Sequence, residues 1–314
     1  MSTLADAGIA PLVDLPYTDQ VALRQARVER ALGRVGVPVE PMVRSPRESG
    51  SRTRVKLRGG SGGLGFHLPG SHDLWAVPLD ELARIARPEV VEAVGRIADC
   101  GIEGEVEVRS DGERAVYVLD RHAPIPKDVH ASVLKKRKSG DPVLVIDGLR
   151  VSPMSFLQVN LEVNRLIVQD IDAMLAAANP ARILDLYGGI GNLSARAFAR
   201  GTPVTLVERE GSATEDARRN LPGAEILALD AGRWKPGQTF YDVAILDPPR
   251  AGAPGMLERL TVTRPRLILY LSCDPATLAR DLGTLRGYRV TRLQPYDMFP
   301  GTEHVETLAV IERS

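Results

Sequence analysis

The stretch that decides the fold is RILDLYGGIGN, residues 182–192. Its first six residues form a short, mostly apolar run that is typical of a buried strand, and its last five form a glycine-rich turn. Four more apolar runs follow, each far enough from the last to leave room for a helix: PVTLVE (203–208), AEILALD (224–230), YDVAILD (241–247) and RLILYLS (266–272). Apolar strands that alternate with helices indicate a parallel sheet covered on both faces.

Two later runs behave differently. YRVTRLQPYD (288–297) and HVETLAVIER (304–313) are separated by too few residues for a helical crossover, so they predict an antiparallel hairpin. A parallel core closed by such a hairpin is similar to the Rossmann-like sheet of class I S-adenosylmethionine-dependent methyltransferases. We therefore predict an α/β domain of this class over residues 146–314.

The first 145 residues predict a smaller α+β domain. Helices are expected from Thr18 to about Val35 and from Pro88, because apolar residues recur at helical spacing there. The strand-like runs TRVKLR (53–58) and LWAVPL (74–79) flank a glycine-rich turn at 59–65. Two more, at 103–110 and 114–120, are joined by an Asp-Gly turn, which is a strong hairpin signal.

Composition bounds the function. With 44% hydrophobic and 25% charged residues, the 314-residue chain is neither a disordered chain nor a fibre, and no apolar run approaches the ~18 residues of a membrane span. Its two cysteines, Cys100 and Cys273, are too few for a four-cysteine zinc or iron–sulfur site. We expect a monomeric cytoplasmic protein without a metal. The formal net charge of zero neither supports nor excludes a nucleic-acid partner.

Polar residues collect where the predicted strands end, which is where open α/β sheets bind ligands. The glycine loop Gly189-x-Gly191 matches the dinucleotide fingerprint imperfectly, because Ser194 stands at the third glycine position. Glu208, at the second strand end, suits the ribose hydroxyls of either a nicotinamide cofactor or S-adenosylmethionine. Asp185, at the first strand end, favours S-adenosylmethionine.

The ends of the fourth and fifth predicted strands carry candidate catalytic residues. Asp247 is followed by two prolines that end the strand stiffly. Cys273 precedes a helix that Asp274 can cap; the helix terminus would lower the pKa of the thiol and the carboxylate would oppose that. A lone cysteine is more often inert, but one on a ligand-binding edge is a candidate nucleophile. Glu306, across the hairpin, is a candidate general base, whereas His304 has no secure role.

At these residues the chain resembles the RNA 5-methyluridine (uracil-C5) methyltransferase family. The matching segments are SFLQVN (155–160), DLYGGIGN (185–192), DPPRAG (247–252), LSCDPATLARD (271–281), DMFPGTEHVE (297–306) and, more weakly, GFHLPGSHD (65–73). The resemblance implies that Cys273 is the nucleophile and Glu306 the base, and that Phe156 and Arg250 hold the target base. It implies S-adenosylmethionine as cofactor and RNA, ribosomal or transfer, as partner. The implied cofactor-binding residues are Gln158, Tyr187, Asn192, Glu208 and Asp247, to which we add Asp230 from its place at a strand end.

The chain departs from that family in three respects. Gly188 stands where many members carry a cysteine, the residues before Thr18 are too few for a TRAM domain, and the iron–sulfur cysteines are missing. The alternatives are a nicotinamide oxidoreductase, a cytosine-C5 RNA methyltransferase and a non-catalytic RNA-binding protein. Two basic stretches, 44–58 and 121–138, are candidates for contacts with RNA phosphates, against the simpler interpretation of a solvated surface.

Overall fold

The computed structural model describes residues 3–60, 62–123, 125–126, 131–133 and 143–314. The chain divides into two compact units. The first contains the chain up to Gln20, Ser45–Glu162 and Phe299–Glu303, and the second contains Val21–Arg44, Val163–Met298 and His304–Ser314. The predicted RNA-contacting residues Lys127 and Lys135 to Lys138 lie outside the described residues.

Helix α1 (Tyr17–Leu32) opens the chain's regular structure and continues as a 3₁₀ turn to Val35, as predicted. The first unit contains a six-stranded sheet in the order β3-β2-β1-β4-β5-β6. Its strands are antiparallel neighbours except for the last pair: β1 (Arg54–Gly60), β2 (Gly63–His67), β3 (Leu74–Ala76), β4 (Gly104–Ser110), β5 (Ala115–Leu119) and β6 (Ala131–Val133). Helices α2 (Leu79–Ala83) and α3 (Pro88–Ile97) and the hairpin β7 (Leu144–Ile146)–β8 (Leu149–Val151) complete it.

The glycine-rich stretch 59–65 is mostly strand, so the prediction of a turn over its whole length is wrong. Gly59 lies against Ile102, and a Cβ on Gly59 would be 1.9 Å from the Ile102 carbonyl oxygen. A Cβ on Gly65 would lie 1.9 Å from the carbonyl oxygen of Trp75. These glycines permit the close approach of neighbouring backbone rather than forming a turn.

The second unit contains a seven-stranded sheet in the order β11-β10-β9-β12-β13-β15-β14. The five parallel strands are β9 (Ile183–Leu186), β10 (Val204–Glu208), β11 (Glu225–Ala228), β12 (Val243–Leu246) and β13 (Leu267–Ser272). Strands β14 (Tyr288–Tyr296) and β15 (Glu306–Arg313) form the predicted antiparallel hairpin. The helices are α4 (Leu161–Ala178), α5 (Ala195–Ala199), α6 (Gly211–Asn220), α7 (Met256–Thr263) and α8 (Pro275–Leu282).

The two units do not divide at the predicted boundary after residue 145. The segment between β8 and α4 hydrogen-bonds to the first unit's sheet: the Thr53 amide donates to the Val159 carbonyl at 2.7 Å. Conversely, residues after α1 run alongside β14, where the Glu40 amide donates to the Leu293 carbonyl at 2.9 Å. These backbone pairings are long-range, so a composition change along the chain does not reveal them.

Among the helices of the described residues, none is long and apolar enough to cross a membrane. In the same ranges, no group of three or more His, Cys, Asp or Glu side chains is placed to hold a metal ion.

Candidate functional site

The loop after β9 is held in a shape that glycines permit. Tyr187 has a positive φ of 60°, and Gly189 and Gly191 also lie in the left-handed region, at 55° and 90°. A Cβ on Gly188 would lie 2.6 Å from Leu206 Cγ and 2.9 Å from Asp185 Cγ. A side chain at position 188 would therefore clash with this chain's own packing, which explains why a glycine stands there.

Asp185 is fully buried at the end of β9. The Ser194 hydroxyl donates to its Oδ2 at 2.6 Å, while its buried Oδ1 has no hydrogen-bond partner. Burial first, and also the charge of Glu208, raise the pKa of Asp185 to about 7 against the lowering effect of the Ser194 hydrogen bond. A buried carboxyl group with a free oxygen is a common feature of a binding site.

Glu208, at the end of β10, organises the backbone around it. Its Oε2 accepts from the Gly189 amide at 3.1 Å, and its Oε1 accepts from the amides of Arg209 and Glu210 at 2.7 and 2.8 Å. The glycine loop and the turn into α6 are thus both tied to the carboxylate that we predict to contact the ribose.

Asn192 forms a reciprocal amide pair with Asn164 of α4. The Asn192 Nδ2 donates to Asn164 Oδ1 at 2.8 Å, and the Asn164 Nδ2 donates back at 3.2 Å. Asn164 was not predicted, because no motif surrounds it and α4 itself was not anticipated.

Asp230 caps the 3₁₀ turn that follows β11, accepting from the Gly232 amide at 2.7 Å, and its other oxygen pairs with Arg209 at 3.3 Å. Tyr187 is half-buried. Its phenol pKa is raised by burial and next by the charge of Asp230, which shows that the two residues are near each other.

Asp247 lies just beyond β12, between the buried Leu246 and Pro248. Burial first, and then the charges of Asp185 and Glu208, raise the pKa of Asp247 to about 7. Three carboxyl groups from three adjacent strand ends therefore interact. Their combined charge disfavours further negative charge and favours a cation at this edge.

Cys273 lies between β13 and α8, half-buried and not in a disulfide. Asp274 caps α8 as predicted: its Oδ1 accepts from the amides of Ala276 and Thr277, each at 3.0 Å. The exposed Arg250 guanidinium lies 3.7 Å from the other Asp274 oxygen. This ion pair brings the Asp-Pro-Pro-Arg segment next to the cysteine.

Glu306 lies opposite Cys273. Ser272 is paired with Thr307 in the antiparallel ladder of β13 and β15, so the next positions on each strand, 273 and 306, face each other. Glu306 is only 3% exposed. Burial raises its pKa well above the usual value, and the charge of Asp247 raises it further.

The same carboxylates act on the thiol. Burial first, and then the charges of Glu306 and Asp247, raise the pKa of Cys273 to about 11. The predicted lowering by the α8 terminus is therefore outweighed. A cysteine, one buried and one half-buried carboxyl group and an arginine meet at one end of the sheet, which is an arrangement suited to covalent and acid–base catalysis.

Two predicted site residues belong to the first unit. Phe156 and Gln158 lie on the segment between β8 and α4. Phe156 is 57% exposed, which is unusual for a large aromatic side chain, and the Arg54 guanidinium lies 4.8 Å from its ring centroid. Gln158 is half-buried. The roles of all these residues stay predictions.

Comparison with known proteins gives one family-model match, to tRNA (Uracil-5-)-methyltransferase, over residues 237–314. The chain is 39% identical over 185 residues to the 23S rRNA (uracil(1939)-C(5))-methyltransferase RlmD of Klebsiella pneumoniae, covering 55% of this chain and 43% of the relative. It is 36% identical over 172 residues to the 23S rRNA (uracil(747)-C(5))-methyltransferase RlmC of a Shewanella species, covering 52% and 45%. The chain thus spans less than half the length of these curated relatives.

Among solved structures, the tRNA (uracil-54, C5)-methyltransferase of Pyrococcus abyssi, in complex with S-adenosyl-L-homocysteine, matches with a TM-score of 0.78. The match has 24% identity and covers 99% of this chain and 86% of that one. It supports the fold in both units. The class I methyltransferase fold and the resemblance of this chain to the RNA uracil-C5 methyltransferase family are thereby confirmed.

Proposed function

We propose that this chain is an S-adenosylmethionine-dependent RNA methyltransferase that methylates carbon 5 of uridine, with Cys273 as nucleophile and Glu306 as base. The observation that carries the proposal is the pairing of β13 with β15. This pairing places the buried Glu306 opposite Cys273 and near Asp247. The family-model match covers this whole region. The names of the relatives, which act on 23S rRNA and tRNA, support an RNA substrate.

The residues present fit S-adenosylmethionine. This cofactor carries a positive sulfonium, and the mutual repulsion of Asp185, Glu208 and Asp247 favours a cation at the same sheet edge. The Asp185 oxygen without a partner is a further acceptor there. Glu208 would hold the ribose, with Tyr187 beside it. The cofactor supplies an electrophilic methyl group.

The chain's own residues would act on the uracil. Carbon 5 of uracil is a weak nucleophile, so the Cys273 thiolate first forms a bond from Sγ to carbon 6 and the displaced electron pair moves to the carbonyl oxygen as an enolate. That electron pair then makes carbon 5 nucleophilic toward the methyl group. Glu306 removes the proton left on carbon 5, and the carbon 6–sulfur bond breaks to release the thiolate.

Two properties of Glu306 suit the last proton transfer. Its raised pKa makes it a stronger base than an exposed glutamate, and its burial protects the transferred proton from exchange with bulk water. The target uridine must be single-stranded or flipped out of a helix to reach such a pocket.

The test is methylation of unmodified ribosomal and transfer RNA transcripts, followed by mass spectrometry of the nucleosides. We expect 5-methyluridine, and a covalent protein–RNA adduct on 5-fluorouridine RNA, because fluorine cannot be removed as a proton. Cys273→Ala should lose both while S-adenosylmethionine binding, measured by calorimetry, stays near wild type; Cys100→Ser is the matched control and should retain both. Turnover by Cys273→Ala at a few per cent of wild type would contradict the mechanism. Formation of 5-methylcytidine would contradict uracil as the nucleobase that is methylated.

A further inference from the structure

Two arginines of the first unit share the carboxylate of Glu107, and a third arginine lies close to them. Arg109 is buried on β4, and its guanidinium lies 2.6 Å from Glu107. Arg54 on β1 reaches the same glutamate at the longer distance of 3.7 Å. Arg52, two residues before Arg54, raises the count to three cations. The charge of Arg54 lowers the pKa of Arg52, and the charge of Arg109 lowers the pKa of Arg54. The cluster therefore carries an excess of positive charge.

Arg52 is the arginine of this cluster whose positive charge is not paired with a carboxylate in the described parts of the chain. Its Nε is shielded from solvent and has no hydrogen-bond partner, and no ion pair is found for Arg52 in the described parts of the chain. Burial first and the like charge of Arg54 second lower the pKa of Arg52 to about 10. Since an arginine stays protonated even so, the folded protein retains a half-buried cation with an unpaired Nε, which is destabilising unless an anion binds to it.

An aromatic ring stands next to the cluster. The Arg54 guanidinium lies 4.8 Å from the centroid of the exposed Phe156 ring. The loop that carries Phe156 is fixed to the same strands: the Arg109 guanidinium donates to the Ser155 carbonyl at 2.5 Å, and the Thr53 hydroxyl donates to the Val159 carbonyl at 3.1 Å. The ring is therefore held in place while much of its surface faces solvent.

Guanidinium groups that outnumber the carboxylate near them, beside an exposed aromatic ring, are complementary to one nucleotide of single-stranded RNA. Guanidinium groups bind phosphate oxygens through paired N–H donors, and aromatic rings stack on bases. We propose that Arg52 and Arg54 bind a phosphodiester of the RNA substrate, next to a base that stacks on Phe156. This inference rests on the proposed function and adds the subsite that fixes the RNA backbone.

The rest of the same basic stretch is different. Lys56 is exposed and already paired with Glu105 at 2.8 Å, and Arg58 is exposed further along β1. Val55 and Leu57, between them, are buried in the core. The sequence predicts all the basic residues of 44–58 as equivalent candidates, whereas the structure singles out Arg52 and Arg54. Arg58 therefore serves as a matched control on the same strand.

The experiment measures binding of single-stranded poly(U) RNA to the full chain at a series of salt concentrations, for wild type, Arg52→Gln, Arg54→Gln and Arg58→Gln. We expect Arg52→Gln and Arg54→Gln each to lower affinity about tenfold at low salt and to reduce the log–log salt slope by about 0.7, the value for one phosphate contact on a single strand. Arg58→Gln should stay near wild type in both.

Thermal unfolding of the same variants separates binding from structure. Because Arg52→Gln removes an uncompensated cation, its melting temperature should equal or exceed that of wild type. A lower melting temperature with unchanged RNA affinity would make Arg52 structural and overturn the proposal. Equal losses of affinity in Arg52→Gln and Arg58→Gln, or no measurable RNA binding by wild type, would also overturn it.

Methyl transfer by wild type is measured in parallel. If wild type methylates RNA and Arg52→Gln keeps the wild-type salt slope, the phosphate site is refuted and the proposed function stands. A slope that falls as expected in a protein that transfers no methyl group would support the phosphate site and refute the proposed function.

Discussion

The acidic surroundings of Cys273 make its titration the most direct measure of the candidate site. The pKa of this thiol is raised from 9.0 to about 11 by burial first and by Glu306 second. At pH 8 a thiol with that pKa is ionised in about one molecule in a thousand. Glu306→Gln removes one negative charge from opposite the sulfur and keeps the size of the side chain.

The size of the effect follows from Coulomb's law. Two unit charges about 6 Å apart, at an effective dielectric constant of about 20–40, repel by about 1.4–3 kcal/mol, or about one to two pKa units. Because burial is the larger cause of the shift, the lower end of this range applies, and we expect Glu306→Gln to lower the pKa of Cys273 by about one unit, to roughly 10. Alkylation at pH 8 should then be about ten times faster, because the thiolate is the reacting form.

The assay is the rate of iodoacetamide alkylation as a function of pH, followed by mass spectrometry. Cys100→Ser provides the background, since it leaves Cys273 as the one cysteine in the sequence. Glu312→Gln, at the other end of β15 and paired with Arg289, is the matched control and should leave the thiol pKa unchanged. An equal or higher thiol pKa in Glu306→Gln would refute the assigned arrangement.

The remaining predictions concern the carboxylates of the cofactor edge. Asp185 keeps its proton in the folded state up to about pH 7, whereas the unfolded chain ionises from about pH 4, so the free energy of unfolding falls as the pH rises through this window. The variant Asp185→Asn, which can still accept from Ser194, does not titrate. In urea unfolding it should be more stable than wild type by up to about 4 kcal/mol at pH 8 and by much less at pH 4. An equal difference at both pH values would show that Asp185 is ionised throughout. Glu208→Ala should weaken S-adenosylmethionine binding by about ten- to a hundredfold in calorimetry, because a charge-assisted hydrogen-bond pair is lost. Glu306→Gln should bind S-adenosylmethionine normally and accumulate a methylated covalent adduct on ordinary RNA. Identical behaviour of the two variants would mean that at least one role is misassigned.

The parallel core was predictable because each of its strands is a near-continuous apolar run, and the hairpin because the loop between its strands is short. The capping of α8 by Asp274 was also predictable, since capping depends on residues two and three positions away. These features are local or repeat at a fixed period, and so they are visible in one sequence.

Features that depend on long-range burial were not predictable. The raised pKa of Cys273 reflects Glu306 and Asp247, which come from other strands, and its direction is opposite to the effect expected from the helix terminus alone. The partnership of Asn192 with Asn164, and the glycine strands around Gly59, likewise depend on neighbours far away in the chain. No pattern in the sequence distinguishes Arg52 from Arg58, because only the burial of the side chain separates them.

The two candidate sites carry charges of opposite sign. Each site brings together like charges that repel one another, and this repulsion can be tested in both. At the sheet edge of the second unit, Asp185 and Asp247 repel each other; in the first unit, Arg52 and Arg54 do the same. Groups whose only role is structural are arranged so that buried charges are compensated, because uncompensated ones destabilise the fold. A sulfonium cofactor compensates the first cluster and an RNA phosphate the second. If these clusters exist for binding, neutralising one member of each should weaken its own ligand, leave the other ligand's affinity unchanged and not lower the melting temperature. A variant that loses stability together with affinity would instead indicate that the charge supports the fold.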